Sequence, residues 1–148
     1  MTKSLFFTPL FLLFFLLSFL LPIKGYGMPK NEQSVGKLLK KIAKQLESKY
    51  KFSPIGTNVG MPGGIIKFLG LDFQMCRLMT QDEARKILID CADQFLLAVN
   101  SNEDIRPYLK NYPFTLENIE VVIFIVDATR NNVYHPNLDT AAIARGEP

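Results

Sequence analysis

The sequence predicts an α+β fold, in which helices pack on one face of a small, mainly antiparallel sheet. In the strand predicted over residues 65–78, apolar side chains alternate with glycine or polar residues, as in a strand with one buried face. Apolar residues then recur at helical spacing through residues 84–99, which predicts a long amphipathic helix. Residues 119–127 are almost continuously apolar and predict a central strand covered on both faces.

A cationic amphipathic helix is predicted from Asn31 onwards. Its apolar stripe covers about four turns and consists of Val35, Leu38, Leu39, Ile42, Leu46 and Tyr50. A second face carries Lys37, Lys40, Lys41 and Lys44. This lysine face is a candidate surface for an anionic membrane or a partner protein. Plain packing with solvated lysines is favoured over the membrane, because the stripe has no Trp to anchor it at an interface.

The next segment, residues 52–64, is predicted to be a loop because it contains four glycines and two prolines. A phosphate-binding loop is excluded, since no Gly-Lys-Ser/Thr follows and a strand rather than a helix comes next. Pro62, followed by two glycines, suits a tight turn into that strand.

The central helix has a clear start. Thr80 and Glu83 have the spacing of a capping box, in which each side chain bonds to the other residue's backbone amide. After the strand at residues 119–127, residues 128–132 read as a hairpin connection, and a partner strand is predicted to begin at Val133. The predicted order of elements is therefore α-β-α-β-β.

Residues 1–27 are predicted to be a secretory signal peptide. An apolar run at residues 5–21 is followed by Gly25 and Gly27, which are small residues at the spacing that a signal peptidase recognises before Met28. The alternative is a membrane anchor formed by the same run, which the lysines that follow it would favour. As a helix the run rises roughly 25 Å, short of a hydrocarbon core of about 30 Å. Cleavage is favoured, so the protein is predicted to be periplasmic or secreted.

Charge excludes one class of partner. Without residues 1–27 the chain has 15 basic and 14 acidic residues, which gives no support for nucleic-acid binding. The charges are nevertheless segregated: residues 28–67 have eight lysines and two glutamates, and residues 68–148 have seven basic and twelve acidic residues. Attraction between these two parts of the chain is the simplest explanation.

Few residues suggest chemistry. Cys76 and Cys91 could pair in an oxidising compartment, but the strand phase places them on different sides, with Cys91 in the core. A Cys91–His135 catalytic pair is an alternative that would make the protein a small cysteine hydrolase. His135 is the only histidine, and the cysteines and carboxylates form no metal-binding pattern. No cofactor or metal site is therefore expected.

Several short motifs resemble a group of small, uncharacterised exported bacterial proteins. They are Arg77-Leu78-Met79-Thr80, Glu83-Ala84-Arg85, Ile105-Arg106-Pro107-Tyr108-Leu109, Tyr112-Pro113-Phe114-Thr115 and Asn118-Ile119. The resemblance extends from about residue 61 to residue 146. It implies export and no particular activity.

Three segments follow from these patterns. Residues 1–27 form the signal peptide, residues 28–60 the cationic helix with its Gly/Pro-rich loop, and residues 61–148 the α+β core. A further strand would help to close the sheet, so the core is expected to be incomplete at its C-terminus. The predicted function is that of a non-catalytic exported binding domain whose partner is another protein of the cell envelope or exterior. A membrane-bound envelope protein and the cysteine hydrolase are the alternatives.

Overall fold

The computed structural model describes residues 29–144. It contains two helices, α1 (Lys30–Tyr50) and α2 (Gln81–Ser101). Its four strands are β1 (Ser53–Gly60), β2 (Phe68–Met75), β3 (Ile119–Ile125) and β4 (Thr140–Ala144). The α+β class is as predicted, but the observed order is α-β-β-α-β-β, so the predicted order α-β-α-β-β is wrong by one strand.

The four strands form one mixed sheet in the order β1-β2-β3-β4. Strand β1 is antiparallel to β2, β2 is parallel to β3, and β3 is antiparallel to β4. Parallel neighbours need a crossover connection, and α2 lies in the chain between β2 and β3. The sheet is thus built from two antiparallel pairs joined through one β-α-β unit.

The core lies between the helices and one face of the sheet. Alternate residues of β2 are buried, as the sequence predicts: Leu69, Leu71, Phe73 and Met75. The same alternation in β3 buries Ile119, Val121, Ile123 and Ile125. The apolar stripes of α1 and α2 belong to the same cluster of buried residues. Both helices therefore cover one face, and the other face of the sheet is open.

The predicted loop at residues 52–64 contains strand β1, which is a correction. Its sequence, Ser-Pro-Ile-Gly-Thr-Asn-Val-Gly, has the composition of a turn, yet pairing with β2 supplies its backbone hydrogen bonds. Proline is tolerated there because β1 is an edge strand, and the register shifts between Pro54 and Gly56. Within residues 52–64, the turn at Pro62–Gly64 is the one part that the structure shows as predicted.

Two predictions about β3 and its partner are wrong as well. Strand β3 is central, but only one face is covered, since both helices lie on the same side and Phe124 is 41% exposed. The partner strand begins at Thr140 rather than at Val133. The intervening chain starts with a turn in which the carboxylate of Asp127 accepts hydrogen bonds from the amides of Thr129 and Asn131, at 2.8 and 2.9 Å. That turn separates β3 from a longer connection.

The start of α2 has the predicted N-cap at Thr80. Thr80 accepts a hydrogen bond from the Glu83 amide at 3.2 Å. The Glu83 carboxylate pairs with Arg77 at 2.6 Å, and the Thr80 backbone is a smaller cause of the lowered pKa of this carboxyl, after the hydrogen bond from Arg77. An ion pair between the strand–helix connection and the first turn thus accompanies the cap.

The predicted signal peptide, its cleavage site at Gly25 and Gly27, and the alternative anchor at residues 5–21 all lie outside the described residues. Within residues 29–144, neither helix is long and apolar enough to cross a membrane.

Candidate functional site

A groove with a volume of about 830 Å³ lies between α1 and the edge strand β1. On the helix side, Val35, Leu39 and Ala43 form its floor, and we call them the inner ridge. Glu32, Gly36, Lys40 and Lys44 lie beside them at four-residue intervals and form the outer ridge. The opposite wall is contributed by Pro54, Gly56, Thr57, Val59 and Met61.

The two ridges follow from the helical sequence pattern. Residues four apart on a helix lie one above the other along one side. The inner ridge is at most 7% exposed because it packs towards the sheet. The outer ridge is one step further around the helix, so its side chains stand at the mouth of the groove.

Helix α1 is held at both ends. Near its start, the side-chain amide of Asn31 donates a hydrogen bond to the carbonyl of Gly64 at 3.1 Å. At its end, Lys51 adopts the left-handed conformation, with φ of 61°, and its amide bonds to the carbonyl of Glu47. Phe52 follows, fully buried, with its ring 4.3 Å from that of Phe73. The groove is therefore a preformed feature between fixed elements.

Gly36 is the unusual member of the outer ridge. It lies inside α1, where glycine is less favourable than alanine by roughly 0.5–1 kcal/mol. A Cβ added at Gly36 would meet no atom within 4 Å among the described residues, so packing does not require glycine there. The missing side chain leaves the outer ridge open between Glu32 and Lys40. Gly36 is not among the predicted site residues, although a glycine inside a lysine-rich helical pattern is a visible signal.

The predicted lysine face is divided by the structure. Lys40 and Lys44 line the groove beside β1. Lys41 lines a different cleft, of about 340 Å³, between α1 and α2, and Lys37 lies on that same side of the helix by the four-residue repeat. The four residues therefore belong to two surfaces rather than to one.

None of these four lysines forms an ion pair within residues 29–144. One ion pair joins the basic and acidic parts of the described chain: Lys49 contacts Asp90 of α2 at 2.6 Å. Lys49 and the hydroxyl of Tyr50 both donate to this carboxylate, and the hydrogen bond from Lys49 is the main cause of the lowered pKa of Asp90. The attraction between the basic and acidic parts of the chain therefore involves Lys49 and leaves Lys40 and Lys44 without an ion pair among the described residues.

Strand β1 has β2 as its neighbour on one side. On the other side, the backbone groups of β1 have no strand partner among the described residues. Proteins protect such edges with charged residues, prolines or bulges; β1 has Pro54 and the register shift before Gly56, but no charged residue. Thr57 and Val59 are exposed there, Val59 to 43%. The groove thus has an apolar floor, a rim on which Lys40 and Lys44 lie between Glu32 and Glu47, and a strand edge capable of hydrogen bonding.

The two cysteines are free thiols and do not lie in the groove. Cys91 is fully buried on α2, and burial raises the pKa of its thiol to about 12. Cys76 follows β2 and is partly exposed, with its sulfur 4.0 Å from Gln74 Oε1. His135 is exposed in the connection to β4. A thiolate at Cys91 is strongly disfavoured, so the structure does not favour Cys91 as a nucleophile.

A polar cluster lies on the open face of the sheet. The side-chain amide of Asn58 donates hydrogen bonds to two carboxylates, that of Asp72 at 3.2 Å and that of Glu120 at 3.0 Å. Within the described residues, no three His, Cys, Asp or Glu side chains are grouped so as to hold a metal ion. The cluster joins β1, β2 and β3 by side-chain hydrogen bonds, so stabilisation of the sheet is sufficient to explain it.

Comparison with protein-family models, curated proteins and solved structures finds no match to this chain. The resemblance to small exported bacterial proteins therefore stays a prediction, and the site must be interpreted from its geometry.

Proposed function

We propose that this protein is a non-catalytic, exported binding domain whose partner occupies the groove between α1 and β1. The observation that carries the proposal is the combination of an apolar floor with two rim lysines, Lys40 and Lys44, that make no ion pair among the described residues, although Glu32 and Glu47 line the same groove. Like charges at four-residue spacing destabilise a helix slightly. Lys40 and Lys44 form such a pair at the mouth of the groove, and a bound partner that neutralises them would offset this cost.

The shape of the groove favours a protein segment over a small molecule. Its helical wall extends from Glu32 to Glu47, which is roughly 22 Å at 1.5 Å per residue. Small-molecule sites usually enclose most of the ligand surface, whereas this groove lies open along a sheet edge. A partner protein of the envelope or exterior is the class that also agrees with the predicted export.

The membrane alternative is less favoured by the packing of α1. A helix that binds a bilayer surface buries its apolar face in the interface. In this protein Leu38, Leu39, Ile42 and Leu46 are at most 5% exposed because they pack into the core. Only the lysines remain for a membrane, and they are divided between two sides of the helix.

The test blocks the groove without disturbing the fold. Gly36→Trp places a large side chain in open space, and Gln45→Trp puts the same side chain on the other side of α1 as a matched control. Both proteins are purified after expression with export, and a random peptide library displayed on phage is selected on the unsubstituted protein. We expect the selected peptides to bind the control normally and Gly36→Trp at least about tenfold more weakly, a loss of about 1.4 kcal/mol.

Equal binding to all three proteins would place the selected peptides elsewhere and overturn the proposal, and so would a selection that yields no binders. Circular dichroism must show the same helix content in both variants. The intact mass of the purified protein tests export in the same experiment, since removal of residues 1–27 predicts a chain that begins at Met28.

A further inference from the structure

We infer that the groove takes an extended, acidic peptide segment, which joins the sheet as a fifth strand beside β1. This inference rests on the proposed function and specifies the chemistry of the partner. Three features of the described residues carry it: the edge of β1, the gap at Gly36 and the spacing of Lys40 and Lys44.

The strand edge determines how a partner is held. An extended peptide beside β1 would pair its backbone with the outward N–H and C=O groups of the strand, as in other complexes formed by strand addition. The register shift between Pro54 and Gly56 interrupts the first part of β1. The regular part, Gly56–Gly60, is therefore the part available for pairing, and it carries no charge that would oppose it.

The gap at Gly36 gives the peptide room. A strand added beside β1 lies under the outer ridge of α1, where a side chain at residue 36 would stand at the mouth of the groove. Glycine allows a ligand backbone to approach a helix closely. Because a Cβ at Gly36 would meet nothing within 4 Å, the space is open to the incoming chain.

The distance between Lys40 and Lys44 determines how far apart the acidic residues of the peptide should be. Lys40 and Lys44 are one ridge step apart, about 6 Å along the helix at 1.5 Å per residue. Side chains two residues apart on a strand point to the same side and are separated by about 6.8 Å. Two carboxylates in the pattern Glu-x-Glu therefore match the two ammonium groups, and apolar residues before and after them would face the inner ridge.

The length of the groove sets the length of the segment. About 22 Å of groove accommodates six or seven extended residues at roughly 3.4 Å each. The probe is therefore the end-blocked heptapeptide Val-Thr-Glu-Thr-Glu-Thr-Val, whose Val and Glu side chains share one face. Its counterpart replaces both glutamates by lysine and keeps the length and strand propensity.

Fluorescence anisotropy of the labelled peptides with the full chain provides the charge test. We expect the acidic peptide to bind about tenfold more tightly than the lysine peptide at low salt, since two exposed ion pairs contribute roughly 0.5–1 kcal/mol each. The variant Lys40→Glu with Lys44→Glu should reverse this preference. The variant Lys37→Glu with Lys41→Glu has the same net charge and should retain it. Equal effects of the two variants would show a general charge effect and overturn the inference.

Backbone pairing is tested with N-methylated forms of the acidic peptide. In a strand, alternate amides point towards β1, so methylation of one alternate set should reduce affinity at least about tenfold and methylation of the other set should be tolerated. Equal tolerance of both sets would overturn strand addition, and the proposed function would stand if Gly36→Trp still reduced binding.

A membrane and a second copy of the chain are the other two possible occupants of the groove, and each would give a different experimental result. Sedimentation with vesicles of phosphatidylserine and phosphatidylcholine tests the membrane; binding that falls equally in both charge variants would favour the bilayer and overturn the peptide. Light scattering tests a second copy of the chain; a dimer that Gly36→Trp dissociates would assign the β1 edge to self-association and overturn the acidic partner.

Discussion

Helices α1 and α2 each have 21 residues and cover the same face of the sheet, yet their outer surfaces differ. The three acidic residues in the first half of α2 are paired: Asp82 with Arg85, Glu83 with Arg77, and Asp90 with Lys49, whereas Lys86 forms no ion pair among the described residues. The lysines of the α1 groove have no such partners among the described residues. The acidic side chains in the first half of α2 are therefore explained by contacts within the fold, whereas Lys40 and Lys44 of the outer ridge are not.

The grooves beside the two helices show the same contrast. At the other edge of the sheet, α2 and β4 enclose a cleft of about 460 Å³, with Arg85 at its rim. Arg85 lies 3.7 Å from Asp82, and no glycine opens that helix. An open strand edge occurs at both ends of the sheet, so the edge is not what distinguishes the α1 groove. The distinguishing features are Gly36 and the unpaired lysines.

The largest expected effect tests the claim that α2 serves the core. Cys91→Asp should reduce the free energy of unfolding by at least about 3 kcal/mol, because an unpaired carboxylate would be buried. Cys91→Ala should cost about 1 kcal/mol through a small cavity. Gln45→Asp, on the exposed side of α1, should change stability by less than about 0.5 kcal/mol. Urea denaturation measures all three.

Similar midpoints for the two Cys91 variants would place this residue outside the core and restore it as a candidate nucleophile. Alkylation gives an independent check, since Cys76 should react in the folded protein and Cys91 only after unfolding.

The second expected effect is an increase in the free energy of unfolding, and it concerns Gly36 in the outer ridge. Gly36→Ala should raise the free energy of unfolding by roughly 0.5–1 kcal/mol, since alanine is the better helix former and its Cβ meets open space. Gly70→Ala in β2 is the matched glycine substitution. Its Cβ would lie 3.0 Å from the Asn58 Cβ and 3.3 Å from the Glu120 Cβ, so it should lower stability.

Thermal or urea denaturation compares the two glycine variants with the unsubstituted protein. A destabilised Gly36→Ala variant would show that folding requires glycine at this position, and Gly36 would then give no support for a ligand in the groove.

The smallest effect concerns the contact that joins the two helices. Asp90 accepts hydrogen bonds from Tyr50 and Gln94 as well as from Lys49. Asp90→Asn should cost about 0.5–1 kcal/mol at neutral pH, a value kept small because the site is partly exposed to solvent.

The pH dependence of that cost follows from the lowered pKa of Asp90, whose ordinary value is 3.8. A depressed folded pKa gives stability that is present above the unfolded value and lost as pH falls through the folded value. The two proteins should therefore differ in urea midpoint at pH 7 and converge below pH 3.8. A constant difference across this range would contradict the assignment.

The sequence by itself determined the helices and strands in which buried apolar residues recur with a regular period. The stripe of α1, the stripe of α2 around Cys91 and the alternation from Leu69 to Met75 are predicted because burial on one side imposes period 3.6 on a helix and period 2 on a strand. The Thr80 cap is also visible in the sequence, since its bond reaches only three residues along the chain.

Tertiary structure alone decided the rest. Strand β1 has a turn-like composition, and its backbone becomes a strand because β2 supplies the hydrogen bonds. The partner of β3 begins at Thr140 because the turn at Asp127 and the connection after it delay the return of the chain. Which lysines line the groove depends on how α1 is rotated against β1, and this contact between distant side chains has no local signature in the sequence. The helix was therefore predictable, but the groove was not.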